Sequence, residues 1–310
     1  MTDPCLFCGG ETAVAVPRVI DNRFGSPGEF AVRACAACGG RQTSPRPDAA
    51  ALKALYERWY NYGGKTDGAY AAAREAFLFS PWYRLMLAVD GDVSFHADRG
   101  TGRLIDIGCN EGRGLALYRA NGYSAEGLEL NAHAAAAARA RGFTVHETWI
   151  EDFAPASPFD VAVLSNVLEH AADPRVMLRH VKRILKPGGE VRISLPNADS
   201  ALAGLAGPDW INWHVPFHIV HFTRLRLARL LEEEGFAVTG IGNVTPALWV
   251  AQTAIARIWR RDPAAVIRLQ RKAPLVAAAM ALARGLLFPL LWFWNVTGRG
   301  DCLVVRARRT

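Results

Sequence analysis

The chain begins Met-Thr-Asp-Pro-Cys, with neither a basic lead nor an apolar run behind it, so no secretory leader is expected. Cysteine is scarce: there are 6, and four of them fall in two close pairs. That disfavours a disulfide scaffold and points to a reducing compartment. Most of the chain also lacks a basic excess. From Arg257 onward 11 Lys and Arg stand against Asp262 and Asp301, a net of +9, which leaves −2 of the total +7 for the first 256 residues. A nucleic-acid face across the whole protein is therefore not expected. Basic charge gathered beside a greasy segment reads instead as a surface for anionic lipid. The Gly-x-Gly-x-x-Gly turn of dinucleotide sites is missing too. What remains is a chain of 310 residues, 51% apolar, long enough for one full α/β domain with a small appendage.

The pattern is densest over residues 103–114. Leu104, Ile105 and Ile107 make a short apolar run, as a buried strand does; glycines at 108, 112 and 114 follow, and Leu115-Ala-Leu-Tyr-Arg reads as a helix. Strand, glycine turn and helix N-terminus form a nucleotide-sized cradle, because glycine lets the backbone approach a ligand that the free helix amides face. An acid, Asp106, precedes the first glycine by two residues. Residues 123–130 read as a second strand, near whose end Glu129, 23 residues past Asp106, is placed to accept both hydroxyls of a ribose. Asn131 caps an alanine-rich helix over 132–141. Phe143–His146 is a third, short strand, and a fourth starts at Phe159 and carries Ser165 and Asn166 at its carboxyl end. A helix over Val176–Leu185 is broken by Lys186-Pro-Gly-Gly189, and Glu190–Pro196 is the fifth strand. Thr223 caps a helix over 224–234 that Gly235 closes. Phe236–Ile241 and Cys302–Arg306 are the sixth and seventh strands, with 245–299 inserted between them.

Asp106-Ile-Gly108-Cys-Asn110-Glu-Gly112 resembles the first motif of the class I S-adenosylmethionine-dependent methyltransferases, with Asn110 where that family carries its middle glycine. The segment from Phe159-Asp-Val to Leu168-Glu-His170, followed by Asp173-Pro174, resembles a second stretch of the family. The run from Leu185-Lys-Pro-Gly-Gly189 to Pro196-Asn197 resembles a third, and the three stand in the family's order. The resemblance implies an α/β, Rossmann-like sheet of seven strands with the seventh antiparallel, and S-adenosyl-L-methionine as cofactor. It implies a cofactor site at Asp106, Gly108, Asn110 and Gly112, with Glu129 and Leu130 at the ribose, Trp149 or Ile150 against the adenine, and Ser165 at a strand end.

Residues 1–47 stand apart. Cys5-Leu-Phe-Cys8-Gly-Gly and Cys35-Ala-Ala-Cys38-Gly-Gly repeat one motif with 26 residues between. Two residues between thiolates let both sulfurs turn toward one ion, and the following glycine permits the positive φ of a knuckle. Cys5, Cys8, Cys35 and Cys38 thus make a four-thiolate site of the closed, structural type, a zinc ribbon whose metal supplies stability that so small a segment lacks. A redox dithiol or an iron–sulfur site is the other reading of the cysteines, and neither accounts for the paired glycines. With only Arg18, Arg23 and Arg33 as basic residues between the knuckles, the ribbon reads as a scaffold or a substrate-docking module. Ser44-Pro-Arg-Pro47 is a stiff exit from it. A helix is expected over Ala49–Tyr60, and bacterial methyltransferases with such a cysteine module resemble this stretch, including Tyr56, Tyr60 and Tyr62. A second amphipathic helix is expected over 69–90, roofing the cofactor. Four units follow: a zinc ribbon over 1–47, a helical linker and roof over 48–100, the methyltransferase domain over 101–244 with 300–310, and a helical insertion over 245–299.

The stretch from Gly207 to Thr223 holds two Trp and three His beyond the fifth strand. Methyl transfer from a sulfonium is an in-line displacement, so an acceptor must be held opposite the methyl group and, if it is a hydroxyl, lose its proton. Histidine suits that proton transfer, so His214, His218, His170 and His221 are the candidate bases. His214 and His218 are favoured, since a spacing of four sets both on one face of a helix, although Pro216 lies between them. A pair of histidines also admits a metal, with no third ligand evident nearby.

Leu275–Trp294 runs 20 residues with Arg284 as its only charge, which is the length of a membrane span. A single span would put the seventh strand across the bilayer from its own sheet, so an interfacial helix or a re-entrant pair is expected. Trp249, Trp259, Trp292 and Trp294 would anchor it, with the arginines toward anionic lipid. A buried helical cap or a dimer face is the alternative. The expected protein is a cytoplasmic enzyme, peripheral on the inner face of the membrane, that carries structural Zn2+ and binds no nucleic acid. It moves a methyl group from S-adenosyl-L-methionine to a small-molecule, sugar or lipid-linked glycan acceptor. The resemblance extends to enzymes of surface polysaccharides and quinone precursors. The alternative is a non-catalytic methyltransferase-fold adaptor that docks a partner or a membrane, against which the intact set Asp106, Gly108 and Glu129 argues.

Overall fold

The computed structural model describes residues 3–59 and 76–310. The N-terminal part forms β1 (Thr12–Val19), β2 (Phe30–Cys35) and β3 (Arg41–Ser44), paired antiparallel in that order, and then α1 (Ala49–Trp59) and α2 (Pro81–Asp90). The α/β part begins with β4 (Arg103–Ile107), α3 (Arg113–Ala120), β5 (Ser124–Leu128), α4 (Ala132–Ala140) and β6 (Val145–His146). It continues through β7 (Phe159–Ser165), α5 (Pro174–Ile184), β8 (Leu185–Pro196), α6 (Ala201–Ala206) and the two-residue β9 (Val220–His221). After α7 (Arg224–Glu233) and β10 (Phe236–Val244) come four helices: α8 (Ala247–Ile258), α9 (Pro263–Gln270), α10 (Ala273–Leu286) and α11 (Phe288–Val296). Strand β11 (Cys302–Arg309) closes the chain.

Seven strands form one sheet in the order β10-β11-β8-β7-β4-β5-β6. Strands β4 to β8 run parallel, and β11 inserts antiparallel between β8 and β10, as expected of the seventh strand. The centre reads as continuous apolar sequence because helices cover both faces: Phe159, Val161, Ala162, Val163 and Leu164 of β7 are all buried. Parallel strands end on one edge, so the turns after β4, β5 and β7 converge there, and that edge is where ligands bind in such sheets.

Two local expectations differ. The fifth strand starts at Leu185 instead of Glu190, so the Lys-Pro-Gly-Gly run lies inside β8, where pairing with β7 slips between Phe159 and Val161. The helix expected over 69–90 is interrupted: a helical turn at 76–78 ends, and α2 restarts at Pro81. Proline lacks the N–H needed to continue a helix but suits its first turn, and Ser80 caps the new start by accepting from the Tyr83 N–H. Residues 69–75, Tyr60 and Tyr62 lie outside the described residues.

The cysteine-bearing sheet is joined to the α/β part. Strand β3 pairs antiparallel with β9, Arg41 opposite His221 and Gln42 opposite Val220. Cys5, Phe7 and Cys35 pack into the same apolar core as Ile107, Leu164 and Phe222. The inserted helices end in a bent pair, α10 and α11 crossing at 71°, and among the described residues no single helix is long and apolar enough to cross a membrane. Arg284, the lone charge of the apolar run, is turned inward and pairs with Asp90 through Nε at 2.9 Å.

Candidate active site

The glycine turn after β4 is held by the residues that the sequence put there. Asn110 adopts φ 51°, a left-handed conformation that asparagine tolerates better than most side chains. Its Oδ1 accepts the Glu111 N–H at 2.8 Å, so it replaces a glycine and locks the turn besides. Gly112 (φ 73°) opens α3, and a Cβ there would sit 2.8 Å from the Ala138 side chain, so only glycine lets α3 start against α4. Glu129 binds both sides of the turn: Oε2 accepts from the Asn110 N–H at 2.9 Å and Oε1 from the Asn131 N–H at 2.8 Å. The carboxylate is thereby fixed, with lone pairs left for further donors such as ribose hydroxyls.

Asp106 is buried at the floor of the same cleft, and burial, helped by nearby Glu129, pushes its carboxyl up to about 7. His96 Nε2 and Asp106 Oδ2 lie 3.0 and 3.1 Å from the point where Gly114 would carry a Cβ, so the missing side chain leaves both groups room. The Tyr83 hydroxyl bonds His96 Nδ1, and burial holds His96 down to about 4, hence neutral. Ser94, His96, Asp106, Gly108, Asn110 and Ser165 line the cleft. Acid, glycine turn, helix N-terminus and the fixed Glu129 carboxylate together fit a nucleoside carrying an amino-acid tail.

The turn that follows β7 leads from this cleft to a second cluster. Val167 packs within 2.9 Å of the missing Cβ of Gly108, and Leu168–His170 then form one 3-10 turn. His170 Nδ1 bonds the Phe217 carbonyl at 3.0 Å and meets the Tyr56 hydroxyl at 2.9 Å. A carbonyl only accepts, so Nδ1 carries the proton and Nε2 is the basic nitrogen. The same logic holds for His218, whose Nδ1 donates to the Asn212 carbonyl at 2.9 Å. Its Nε2 then accepts from His214 Nδ1 at 3.3 Å. His214 and His218 are not on a helix. His214 itself is left-handed (φ 40°), and one tight turn, closed by the His218 N–H on the His214 carbonyl at 3.0 Å, brings the rings together. Burial pushes all three imidazoles down, His170 to about 4 and the other two well below the usual histidine value.

Glu169 lies behind them, 1% exposed, and neither carboxylate oxygen finds a hydrogen-bond donor among the described residues. Glu169, His170 and His218 place one donor atom each within 4.8 Å of the others, so the third group missing from the sequence reading is the neighbour of His170.

The four cysteines form the other centre. Cys5 and Cys38 sulfurs are 3.4 Å apart, Cys8 and Cys35 sulfurs 3.6 Å, and all four lie within 4.8 Å of one another. Zn–S bonds of about 2.3 Å set tetrahedral edges of about 3.8 Å, so the set fits a zinc ion. The two knuckles are alike: the Gly9 N–H donates to the Cys5 carbonyl at 2.8 Å, the Gly39 N–H to that of Cys35 at 2.9 Å, and both glycines have φ 71°.

Of the adenine candidates, Trp149 is 60% exposed, while Ile150 is buried in the core with Phe153. Leu130 is exposed beside Glu129, and Ser165 bonds Ser94 and the Val93 carbonyl across the cleft mouth. Sequence reasoning missed Ser94 and His96, because nothing in a loop between helix and strand signals that it lines a cleft, and Tyr118, which reads as a core residue of α3. It also passed over Glu169, the neighbour of His170 that packing sets beside His218, and Arg23, which only tertiary packing brings to the histidines.

The methyltransferase-domain family matches residues 82–240, about half of the chain. The ubiquinone biosynthesis O-methyltransferase of Sodalis glossinidius is 30% identical over 123 residues, which span 36% of this chain and 49% of that protein. The enzyme of the same description from Erwinia tasmaniensis is 28% identical over 184 residues, 55% of this chain and 70% of that one. The chain thus spans about half the length of the first relative and more of the second. Among solved structures, the 1,6-didemethyltoxoflavin N1-methyltransferase of Burkholderia thailandensis, with that compound and S-adenosylhomocysteine bound, is 16% identical. It covers 92% of this chain and 97% of its own, with a TM-score of 0.49. With the strand order, the glycine turn and the family match in agreement, this chain belongs to the methyltransferase-domain family.

Proposed function

We propose that this protein transfers the methyl group of S-adenosylmethionine to a nucleophilic atom of a small acceptor, and that His170 takes the acceptor's proton. The observation that carries this reading is the position of His170: five residues past Ser165 of the cofactor cleft, partly exposed, its Nδ1 tied down and its Nε2 basic. The bound sulfonium supplies an electrophilic methyl carbon; the acceptor's lone pair forms the new bond as the carbon–sulfur bond breaks, and S-adenosylhomocysteine leaves. The chain's own part is to grip the nucleoside by Glu129 and the amino-acid tail near Asp106 and His96, with Trp149 against the adenine. His170 Nε2 receives the hydroxyl proton. His214 and His218, buried behind it, hold its surroundings in one arrangement. The four cysteines hold a structural zinc.

The acceptor class draws on two features. Relatives described as ubiquinone biosynthesis O-methyltransferases support a hydroxylated, quinone-like or lipid-linked acceptor. The apolar face of α10 and α11 exposes Leu282, Leu286, Trp292 and Phe293, each more than half exposed, near Arg260, Arg261, Arg271 and Lys272 in the chain. Such a face suits the inner leaflet of a membrane, and a lipid-linked sugar or quinone precursor would meet the site there. Turnover of labelled S-adenosylmethionine with polyprenyl-linked sugars and hydroxylated quinone precursors, with and without liposomes, tests it. A soluble sugar nucleotide turned over equally well, with no gain on liposomes, removes the membrane-linked acceptor.

A further inference from the structure

The wall of the histidine cluster comes from the cysteine module. Between β1 and β2 the chain makes a loop, Asp21–Ser26, organised by one buried carboxylate. Asp21 accepts from the N–H groups of Arg23 at 2.9 Å, Phe24 at 3.0 Å and Ser26 at 2.9 Å, and from the Ser26 hydroxyl at 2.8 Å. Four bonds to one side chain leave the loop a single shape, and that shape sends Arg23 and Phe24 into the α/β part.

Arg23 Nη2 donates to Asn212 Oδ1 at 2.6 Å, and its Nε to the Ile211 carbonyl at 3.4 Å. Asn212 is fully buried and is a hub. Its Nδ2 donates to Asp301 at 3.1 Å, and its carbonyl takes the His218 Nδ1 proton. Asp301 is held in turn by the Ser200 hydroxyl and the Trp210 indole N–H, at 2.7 and 2.9 Å. Phe24 packs its ring 5.3 Å from that of His214 and 5.4 Å from that of Phe217, whose carbonyl fixes His170. From the same module, Thr43 donates its hydroxyl to the His218 carbonyl at 2.6 Å. Each of the three histidines is therefore set, at one remove, by a residue from between the two cysteine knuckles or just after them.

We propose that Arg23 is a positioning residue of the methyl-transfer site, acting through Asn212 on His218, that Phe24 seats His214 and Phe217, and that metal binding by the four cysteines is what holds both in place. The proposal rests on the reading of the histidine cluster as the proton-handling part of the site. The cysteine module thereby forms a wall of the acceptor side, whereas none of its described residues lines the cofactor cleft, which is built from the turn after β4, α3 and the loop before them. Loss of the metal then uncouples the two halves of the site. Cofactor binding survives, and histidine geometry does not.

The test uses the full-length protein, isotope-labelled at its histidine rings and assigned by single histidine variants, beside calorimetric titration with S-adenosylhomocysteine. The titratable and charged groups facing the cluster are Glu169, Tyr56 and Arg23, with Asp301 behind Asn212 and Arg41 facing His221. In metal-loaded Arg23→Gln the His218 and His214 ring signals move and both titrate at higher pH, since a neighbouring cation is gone, while S-adenosylhomocysteine affinity stays unchanged. Arg23→Lys, which keeps the charge but loses the planar two-point grip, moves the ring signals without that rise in titration. Turnover in Arg23→Gln falls by about 10- to 100-fold in kcat, as small misplacements of acid–base groups do, with little change in KM. Stripping the metal from wild type reproduces the Arg23→Gln ring signals. Phe24→Leu serves as a second variant, milder for folding, in which the His214 signal moves. Unchanged histidine signals in folded Arg23→Gln, or in metal-stripped protein, overturn the proposal. Failure of wild type to bind S-adenosylhomocysteine overturns the methyl-transfer reading instead, and leaves the histidine result to be read separately.

Discussion

Glu169 Oε1 and His218 Nε2 lie 3.9 Å apart, a carboxyl oxygen facing the basic nitrogen of a neutral imidazole, and the carboxyl has no hydrogen-bond donor among the described residues. Two acceptors face each other comfortably only if the carboxyl keeps its proton, and burial pushes Glu169 up to about 8. Its unfolded value is about 4.3. Between those values the unfolded chain has released a proton that the folded chain retains, so the stability that Glu169 contributes falls as pH rises from about 5 toward 8. Glu169→Gln removes that titration. Urea unfolding of the two proteins should show the variant gaining on wild type across this window; parallel curves would mean the carboxyl is already ionised in the fold.

The enclosed histidines act in the opposite direction. His96 and His170 are held down to about 4 and His221 to about 3, chiefly by burial, against an ordinary value of 6.5. Their neutral forms favour the fold above about 6.5, and that contribution is lost as pH falls toward 4. The thermal stability that these histidines contribute should therefore fall from about pH 6.5 to 4, against the opposite trend of Glu169, Asp106 and Asp301, so His221→Gln should lose less melting temperature than wild type across that window. For the same reason His170, the proposed base, is deprotonated down through about pH 5, so the acid limb of kcat/KM should lie below about 6, and His170→Ala should cost about 100- to 10,000-fold in kcat at about pH 7. An acid limb near about 6.5 would assign the proton to a solvated group elsewhere.

The knuckles predict one tightly held zinc per chain. Cys35→Ser removes a candidate ligand that is 2% exposed and part of the main core. Metal analysis of purified wild type and variant should show the ion lost, and the β1–β3 sheet should become open to protease, since so small a unit gains its stability from the metal. A zinc-free wild type with an intact, protease-resistant sheet would contradict that.

The sheet and the glycine turn were legible because buried parallel strands write themselves as apolar runs, and Gly112 and Glu129 sit at fixed places after β4 and β5. The cysteine pairing was legible from spacing alone. The geometry of the histidines was not. A spacing of four suggested a helix, yet His214 takes a left-handed conformation and a single turn closes over Pro216, so the rings meet by a different route. Arg23 and Asn212 are 189 positions apart, and no local pattern ties them. Arg284 reads in the sequence only as the sole charge of an apolar run; its partner Asp90 lies 194 positions away, so the ion pair was equally invisible.

The exposed face of α10 and α11 predicts binding to vesicles containing anionic lipid. In a flotation assay, Trp292→Ser with Phe293→Ser should lose most of the bound fraction, because each large apolar side chain buried in the interface contributes about 1.5–3 kcal/mol. High salt should weaken wild-type binding in part. Equal flotation of wild type and variant, or none by either, would leave this face as a contact for protein.

Cofactor use decides whether the rest holds, and calorimetric titration of the folded, zinc-loaded protein with S-adenosylhomocysteine, wild type beside Glu129→Ala, reads it without an acceptor. Glu129 accepts from the Asn110 and Asn131 amides, and in the proposed site its remaining lone pairs would take the ribose hydroxyls. Losing charged hydrogen bonds of about 1.5–3 kcal/mol each should weaken binding by at least about tenfold, from a micromolar wild-type value. Absence of binding by folded wild type would contradict methyl transfer and point to a methyltransferase fold that no longer holds its cofactor.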